Sequence, residues 1–175
     1  MKTRLLVLCG MIGMAALSRL LPHTPNFAPI TAIALFGGAH FSDKRKAFLV
    51  PIAALFLGDL VLGFYRVMPV VYLTFAAIVG IGLWVGRQRS LSRVAGGALT
   101  SSVLFFAVTN LAVWAFDGIY PRTAAGLVAC YTAAIPFFQT TFVGDLLWTT
   151  VLFGGFALAE RWLPVLREPA LAGAK

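Results

Sequence analysis

The chain has 175 residues, of which 60% are apolar and 11% are charged, and its mean hydropathy is +0.90. Because soluble domains carry about 25% charged residues, this composition excludes an ordinary soluble protein and indicates an integral membrane protein. The net charge of +8 does not indicate nucleic-acid binding, since the basic residues stand in short runs between apolar segments, where they orient membrane helices. We expect one transmembrane domain, residues 1–163, followed by a cytoplasmic tail, residues 164–175.

The apolar segments predict an all-α bundle of six transmembrane helices. The first follows Lys2 and Arg4 and is interpreted as a retained helix, with a cleaved signal peptide as the alternative. Pro22 and Pro25 predict a loop after it. The second segment is short, since about 20 residues are needed to cross a bilayer. The predicted helices cover residues 4–21, 27–41, 47–64, 70–86, 94–116 and 139–160, and a lid or interfacial helix covers 124–138.

The distribution of Lys and Arg predicts the orientation. If both ends of the chain are cytoplasmic, only Arg19, Arg66 and Arg122 of the 14 basic residues lie on the outer side. The remaining 11 (14 minus three) lie on the inner side. This positive-inside bias predicts a multi-pass membrane protein with both termini in the cytoplasm.

Two of the apolar segments contain the same motif around a carboxylate, Gly58-Asp59-Leu60 and Gly144-Asp145-Leu146. An Asp at the centre of a membrane helix costs about 2.5–3.5 kcal/mol, so such a residue is a functional candidate. Counting helical rise from the segment ends places both carboxylates in the outer half of the membrane, with Asp145 about 4–6 residues from the outer end of its helix.

Polar residues at helical spacing extend this candidate site. The sixth helix has a stripe at i, i+4 and i+8, formed by Thr141, Asp145 and Thr149. The fifth has a shared face formed by Ser102, Phe106, Asn110 and Trp114. Polar faces of membrane helices point to the bundle interior or to a water-filled cavity, so we predict a ligand cavity in the outer half. The candidate ligand-binding residues are Asp59, Asp145, Asn110, Arg19, Asn26, Trp114, Thr141, Thr149, Tyr120 and Arg122.

A structural role is the alternative for the two carboxylates. In that interpretation Asp59 pairs with Arg19 and Asp145 pairs with Arg122, and both ion pairs only lock the bundle. The sequence leaves the two interpretations open.

Other reactive residues do not form a recognisable site. His23 and His40 lack metal-binding spacing, and Cys9 and Cys130 stand far apart, so neither a metal site nor a disulfide is predicted. No nucleotide-binding loop, hydrolase motif or zinc-protease motif is present, and we therefore expect no cofactor and no enzymatic activity.

The second segment carries small residues four apart, Ala28 with Ala32 and Ala34 with Gly38. Such pairs allow another helix to approach closely. They predict either a surface for a partner protein or packing within the chain.

Several stretches together resemble a family of uncharacterised bacterial transport proteins. The likeness rests on Pro25–Ile30, Ala34–Ala39, Leu57–Leu60, Ser101–Asn110, Tyr120–Gly126 and Ala133–Phe153, and covers nearly the whole chain. That family is similar to the S components of energy-coupling factor (ECF) vitamin transporters. The resemblance implies an S-component-like bundle in the bacterial inner membrane, with a pocket in its outer half and a gating loop after the first helix.

The resemblance also implies a function and partners. S components bind substrates such as thiamine, riboflavin, biotin or corrinoids, and small-residue helix faces meet a transmembrane coupling subunit that works with ATPases. We therefore expect a substrate-binding membrane subunit for the uptake of a small molecule such as a vitamin or cofactor precursor. The alternatives are a secondary transporter or channel that uses Asp59 and Asp145 for protons or cations, and a non-transport membrane scaffold.

Overall fold

The computed structural model describes residues 2–22 and 26–167, and throughout these ranges the regular structure is helical. The α-helices are α1 (Lys2–Ser18), α2 (Ile30–His40), α3 (Lys44–Leu62), α4 (Met68–Gly86), α5 (Leu91–Ala112), α6 (Ala124–Thr149) and α7 (Gly155–Trp162). A π-helical turn, Val113–Asp117, extends α5, and a second, Thr150–Gly154, joins α6 to α7. The all-α prediction is confirmed for the described residues.

The helix surfaces suit a lipid environment. Three continuous helices are long and apolar enough to cross a membrane, namely Met68–Gly86, Leu91–Asp117 and Ala124–Trp162. Large apolar side chains are exposed on several of the helices; Leu6 is 71% exposed, Leu73 72% and Val128 65%. A soluble monomer rarely presents so much contiguous apolar surface, and these observations together indicate a membrane protein.

One end of the bundle is organised around Arg4 and is called the Arg4 end below. The Arg4 guanidinium lies 2.7 Å from the Glu160 carboxylate and donates to the His40 carbonyl at 3.2 Å. The Glu160 carboxylate is also 3.7 Å from the Arg89 guanidinium. The start of α1, the end of α2, the α4–α5 connection and α7 therefore meet at this end.

The opposite end is organised around Asp59 and is called the Asp59 end. Here Arg19, which follows α1, pairs with Asp59 in the last turn of α3. Arg66 in the α3–α4 connection donates to the Phe116 carbonyl after α5, at 3.0 Å. Successive helices therefore run antiparallel between the two ends, with α6 and α7 together forming the final pass.

α2 is a short helix at the centre of the bundle. Its 11 residues span about 16 Å, which is half of a membrane crossing, and residues 31 to 40 are all buried. It lies against α4 at glycine positions: a Cβ on Gly38 would be 2.2 Å from the Val79 carbonyl oxygen, and one on Gly82 would be 2.4 Å from the Leu35 carbonyl oxygen. Only glycine at these positions permits so close an approach of the two backbones.

The observed helix starts differ from the predicted ones because polar caps begin the helices earlier. The Asp43 side chain accepts from the Arg45 amide, so α3 begins at Lys44 rather than at residue 47. The Ser90 side chain accepts from the Arg93 amide, so α5 begins at Leu91 rather than at 94. These side chains satisfy backbone donors that a helix start otherwise leaves unpaired, and the helix therefore extends into a charged first turn.

The largest departure from the prediction is in the last third of the chain. The expected break between a lid helix (124–138) and a sixth span (139–160) is absent, because one continuous helix runs from Ala124 to Trp162. Pro136 lies inside it without ending it. Its 39 residues correspond to about 58 Å, more than the ~30 Å of a hydrocarbon core. The prediction of a separate lid helix was wrong.

The prediction that the chain ends in a tail from residue 164 onward is also partly wrong. A 3₁₀ turn, Pro164–Leu166, folds back onto the Arg4 end, and the Leu166 side chain is fully buried. Arg4 donates a hydrogen bond to the Leu166 carbonyl, and this bond holds the turn against α1. The rest of the predicted tail, residues 168–175, lies outside the described residues.

Candidate functional site

A buried ion pair with a tyrosine forms the first polar cluster in the bundle. Arg19 Nη2 lies 2.8 Å from Asp59 Oδ1, and the Tyr72 hydroxyl donates to Asp59 Oδ2 at 2.9 Å. Asp59 is 1% exposed and Arg19 9%. Arg19 Nη1 also donates to the Leu55 carbonyl at 3.3 Å. Both carboxylate oxygens are therefore bonded within the chain, and the alternative that Asp59 pairs with Arg19 is confirmed.

Asp145 belongs to a second cluster, formed by α2, α5 and α6. Its Oδ2 lies 2.6 Å from the Ser102 hydroxyl, and the Thr31 side chain is a further polar neighbour. Asp145 is 1% exposed, but its Oδ1 has no hydrogen-bond partner among the described residues. The predicted pair with Arg122 is not formed, because Arg122 is exposed and precedes α6, whereas Asp145 lies 21 residues, or about 32 Å, along α6 from Ala124.

Two further hydroxyls on the helices that carry Ser102 and Asp145 are buried and have no hydrogen-bond partner among the described residues. Ser101 precedes Ser102 on α5 and is 0% exposed, and Thr149 lies one turn after Asp145 on α6 and is 5% exposed. Neither hydroxyl oxygen has a hydrogen-bond partner within the described part of the chain, and the Trp148 ring nitrogen is likewise unpaired. Buried polar atoms in proteins are nearly always hydrogen-bonded, so this concentration within two helices is unusual.

The start of α2 lies between the two clusters. Ile30 lines the space beside Arg19, whereas the next residue, Thr31, faces Asp145. Asp59 lies three residues before the end of α3 at Leu62, but Asp145 lies 21 residues after the start of α6 at Ala124. The expectation that Asp145 lies about 4–6 residues from its helix end was therefore wrong, because α6 begins much earlier than predicted.

The glycine before each aspartate accommodates a group from the segment after α1. A Cβ on Gly58 would lie 2.8 Å from Arg19 Nη1, so the bare glycine gives the guanidinium room beside α3. A Cβ on Gly144 would lie 3.2 Å from the Phe27 ring and 3.3 Å from its Cα. The two copies of the motif thus receive different neighbours, a cation in one case and an aromatic ring in the other.

Most of the other predicted ligand-binding residues do not join either cluster. The Asn110 amide donates to Phe106 and the Thr141 hydroxyl to Phe137, each one turn back on its own helix. The Trp114 ring nitrogen donates to the Pro121 carbonyl, in the connection between α5 and α6. Half-buried Tyr120 and the exposed Arg122 and Asn26 lie in connecting segments. Of the predicted residues, Arg19 and Asp59 form the first cluster, and Asp145 and Thr149 lie in the second.

The two clusters also contain residues that the sequence did not single out as ligands. Tyr72 could have been recognised only as a phenol within an apolar segment, and Thr31 only as a hydroxyl at the start of one. Ser101 adjoins the predicted polar face of α5, and Ser102 belongs to it. Whether these side chains belong to a cluster depends on which helices are neighbours in the fold.

The small-residue pairs of α2 serve packing within the chain. Ala32 and Ala34 are 1% and 0% exposed, and Gly38 lies against α4. The prediction of a partner surface at these residues was wrong, because buried residues present no surface. Ala28 precedes α2 and is half-buried.

The reactive side chains elsewhere are placed as follows. His40 is 4% exposed, with Nδ1 3.1 Å from the Phe36 carbonyl, and His23 lies outside the described residues. Cys130 is buried and its thiol donates to the Asn110 carbonyl at 3.5 Å, whereas Cys9 is half-buried. Across residues 2–22 and 26–167 no three His, Cys, Asp or Glu side chains are grouped as metal ligands.

Neither of two cavities in the bundle is a preformed pocket for a vitamin-sized molecule. The space beside Arg19 leaves no room for a water molecule and is lined by Ala16, Arg19, Ile30, Ile33, Leu55 and Phe75. A groove of about 530 Å³ is open on the outside of α4 and α5, lined by Ala77, Gly80, Ile81, Trp84, Gly97 and Thr100. The first contains a buried charge but is closed, and the second is open but lacks any charged side chain.

Residues 1–166 match a protein family described as a family of unknown function (DUF6580). No curated protein and no solved structure matches the chain.

Proposed function

The chain belongs to this family of unknown function, and we propose that it is a membrane subunit that binds a small molecule for uptake. The observation that carries the proposal is the Arg19–Asp59–Tyr72 cluster, which is buried at the Asp59 end of a membrane protein. Charged residues inside a membrane bundle are expensive and typically mark a substrate or ion pathway. The resemblance to S components supports the same assignment, since those proteins hold their substrate in the outer half of the bundle.

The proposed topology is a six-pass protein of the bacterial inner membrane with both termini in the cytoplasm. The Arg4 end faces the cytoplasm and the Asp59 end faces outward. This orientation is supported by the basic connections at the Arg4 end, residues 44–46 and 87–93, and by the scarcity of basic residues at the other end. The half-length helix α2 is accommodated because the segment before it enters the bundle from the Asp59 end, from exposed Asn26 to buried Pro29.

The proposed binding site is closed in this structure, so a solute requires the Asp59 end of the bundle to open. Arg19 directly follows α1, and Phe27, which precedes α2, lies against α6. Opening this end would give a solute access to the Arg19 guanidinium. A guanidinium binds carboxylate and phosphate groups in a bidentate manner, so we propose a vitamin or cofactor precursor with an acidic group as the solute.

The partners in this proposal are a transmembrane coupling subunit and its ATPases. The small residues of α2 are internal, so the coupling surface has to lie elsewhere. The open groove between α4 and α5 is lined by residues such as Gly80 and Gly97, which would permit a close helix approach.

The test is solute binding by the purified protein in detergent. A panel of vitamins and precursors, with acidic and neutral members, is screened by the shift of the thermal unfolding midpoint, and positives are confirmed by titration calorimetry. We expect an acidic solute to stabilise wild type, and Arg19→Gln to abolish that stabilisation. Arg66→Gln is the matched control, because it removes a positive charge from an exposed residue at the same end.

Two results would contradict the proposal. One is that no member of the panel stabilises wild type. The other is that a solute stabilises Arg19→Gln as strongly as wild type, which would separate binding from the buried guanidinium. Asp59→Asn gives an independent check, since it removes the competing anion and should strengthen the binding of an acidic solute, provided that the variant elutes as a monodisperse peak in gel filtration.

A further inference from the structure

The Asp145 cluster holds a buried carboxyl group that has no ion-pair partner among the described residues. Asp59 has the Arg19 guanidinium, but within the described residues no Lys, Arg or His forms an ion pair with Asp145. Its Oδ1 is buried and has no hydrogen-bond partner. An isolated carboxylate in a low-dielectric interior is unfavourable unless a counter-charge or a proton accompanies it. The difference between the two aspartates therefore requires an explanation at Asp145.

The hydrogen bonds around Asp145 leave one of its carboxylate oxygens without a partner. The Ser102 hydroxyl lies 2.6 Å from Asp145 Oδ2 and 3.0 Å from the Ala98 carbonyl, and it has one hydrogen to share between them. The Thr31 side chain is a further polar neighbour of Asp145. Asp145 Oδ1 and the Ser101 and Thr149 hydroxyl oxygens are buried and have no hydrogen-bond partner among the described residues.

Helical geometry brings these unpaired oxygens to one region. Thr149 lies one turn from Asp145 on the same face of α6. Ser101 lies one turn from Gly97 on α5, and Thr31 one turn from Leu35 on α2. A Cβ on Gly97 would lie 2.7 Å from Val85 Cγ2 on α4 and 3.3 Å from Leu35 Cδ1 on α2, so this face of α5 borders both α4 and α2. Ser101 is therefore on the face of α5 that meets the Thr31 face of α2, and Thr31 is a neighbour of Asp145.

We propose that Asp145 is the centre of a binding site for a monovalent cation, with sodium as the ion. Asp145 Oδ1 and the hydroxyl oxygens of Ser101 and Thr149 supply hard oxygen ligands, which suit alkali and alkaline-earth ions rather than thiolate- or imidazole-seeking metals. One carboxylate neutralises one positive charge, so a divalent ion would leave an uncompensated charge in the bundle. The unpaired Trp148 nitrogen is a donor and has no part in coordination.

The site is distinct from the Arg19–Asp59 cluster and holds whether or not a solute binds there. Asp145 lies about 32 Å along α6 from Ala124 and about 25 Å from Trp162, so the ion would sit deep in the helix bundle. A sodium ion at this depth, beside the start of α2, would stabilise the packing of α2 against α5 and α6. The same ion would also be available to couple solute uptake to a sodium gradient.

The test is sodium binding by the full-length protein in detergent, without any solute. Binding is measured with radioactive sodium, and thermal unfolding is compared in sodium chloride and choline chloride at equal ionic strength. Wild type is expected to bind one sodium ion per chain and to unfold at a higher temperature in sodium. Asp145→Asn is expected to lose both effects, and Thr149→Ala to bind about 10-fold more weakly. Thr150→Ala is the matched control, because its exposed hydroxyl bonds to the Leu146 carbonyl, and it should bind like wild type.

Three outcomes would overturn the proposal. Equal unfolding temperatures in sodium and choline, together with no bound radioactive sodium, would show that no sodium site exists. A pH-dependent unfolding temperature that is the same in both salts would assign the charge compensation to a proton instead. Full sodium binding by Thr149→Ala, or by an Asp145→Asn protein that elutes like wild type in gel filtration, would place any ion elsewhere.

Discussion

The contact between α2 and α4 can be tested with two glycines on one helix. A Cβ on Gly82 would lie 2.4 Å from the Leu35 carbonyl oxygen and 2.8 Å from the Gly38 Cα. The shortest carbon–oxygen contacts between helices are about 3.3 Å. Gly82→Ala therefore forces the two backbones apart by about 0.9 Å. Gly80 is two residues earlier on α4, and a Cβ there meets nothing within 4 Å. Gly80→Ala therefore changes helix propensity alone.

Gly82→Ala is expected to lower the free energy of unfolding, whereas Gly80→Ala is expected to raise it. Overpacking a well-packed contact costs about 1–3 kcal/mol, and here both colliding groups are backbone, which cannot turn away. Replacing glycine by alanine inside a helix contributes up to about 1 kcal/mol of stabilisation through propensity. We expect Gly82→Ala to be less stable than Gly80→Ala by about 2 kcal/mol. For a chain of this length that corresponds to a difference in midpoint of about 4–8 °C.

The measurement is thermal unfolding of both variants and wild type in the same detergent, followed by intrinsic tryptophan fluorescence. The order of midpoints should be Gly80→Ala at or above wild type and Gly82→Ala below it. Equal midpoints for the two variants would refute the close approach of α2 and α4. A destabilised Gly80→Ala would refute the assignment of that residue to an unobstructed surface.

Three further outcomes are expected. Tyr72→Phe removes the hydroxyl that donates to the buried carboxylate at 2.9 Å, and should lower the unfolding free energy by about 1.5 kcal/mol; an unchanged midpoint would contradict the hydrogen bond. Arg4→Gln breaks a largely buried ion pair and should cost about 3 kcal/mol and increase proteolysis near Leu166; unchanged proteolysis would mean that Arg4 does not hold the 3₁₀ turn. In cells, Ile119→Cys should react with an impermeant maleimide from outside, and Gln88→Cys only after permeabilisation; the reverse pattern would invert the proposed topology.

The order of the first five helices could be predicted from the sequence, since each of those apolar runs became a helix, whereas the last two predicted helices form one continuous helix. The first and last residues of those helices were harder to predict, because hydropathy contains no information on helix capping. Asp43 and Ser90 begin α3 and α5 within polar segments that hydropathy assigns to loops. The predicted boundary between residues 138 and 139 erred in the other direction, since the helix continues through it and through Pro136. A proline removes one backbone donor, and packing on both sides can keep such a helix intact.

The candidate site could be predicted only in part, because its partners are distant in sequence. The sequence identified both aspartates as unusual and named Arg19 as a partner of Asp59 in one interpretation. It could not identify Ser102 as the partner of Asp145, since these residues are 43 positions apart and on different helices. The small residues of α2 show the same limit: periodicity reveals that a face is small, but not whether that face meets lipid, a partner or another helix of the chain.

The repeated Gly-Asp-Leu motif shows how one local sequence can produce two electrostatic environments. Gly58 makes room for a guanidinium, which neutralises Asp59 within the chain. Gly144 makes room for the Phe27 ring, an apolar group that supplies no positive charge. Asp59 therefore has a counter-charge within the chain, whereas Asp145 has no ion-pair partner among the described residues. The two proposals follow this difference: solute binding is proposed at the paired carboxylate, and cation binding at the unpaired one.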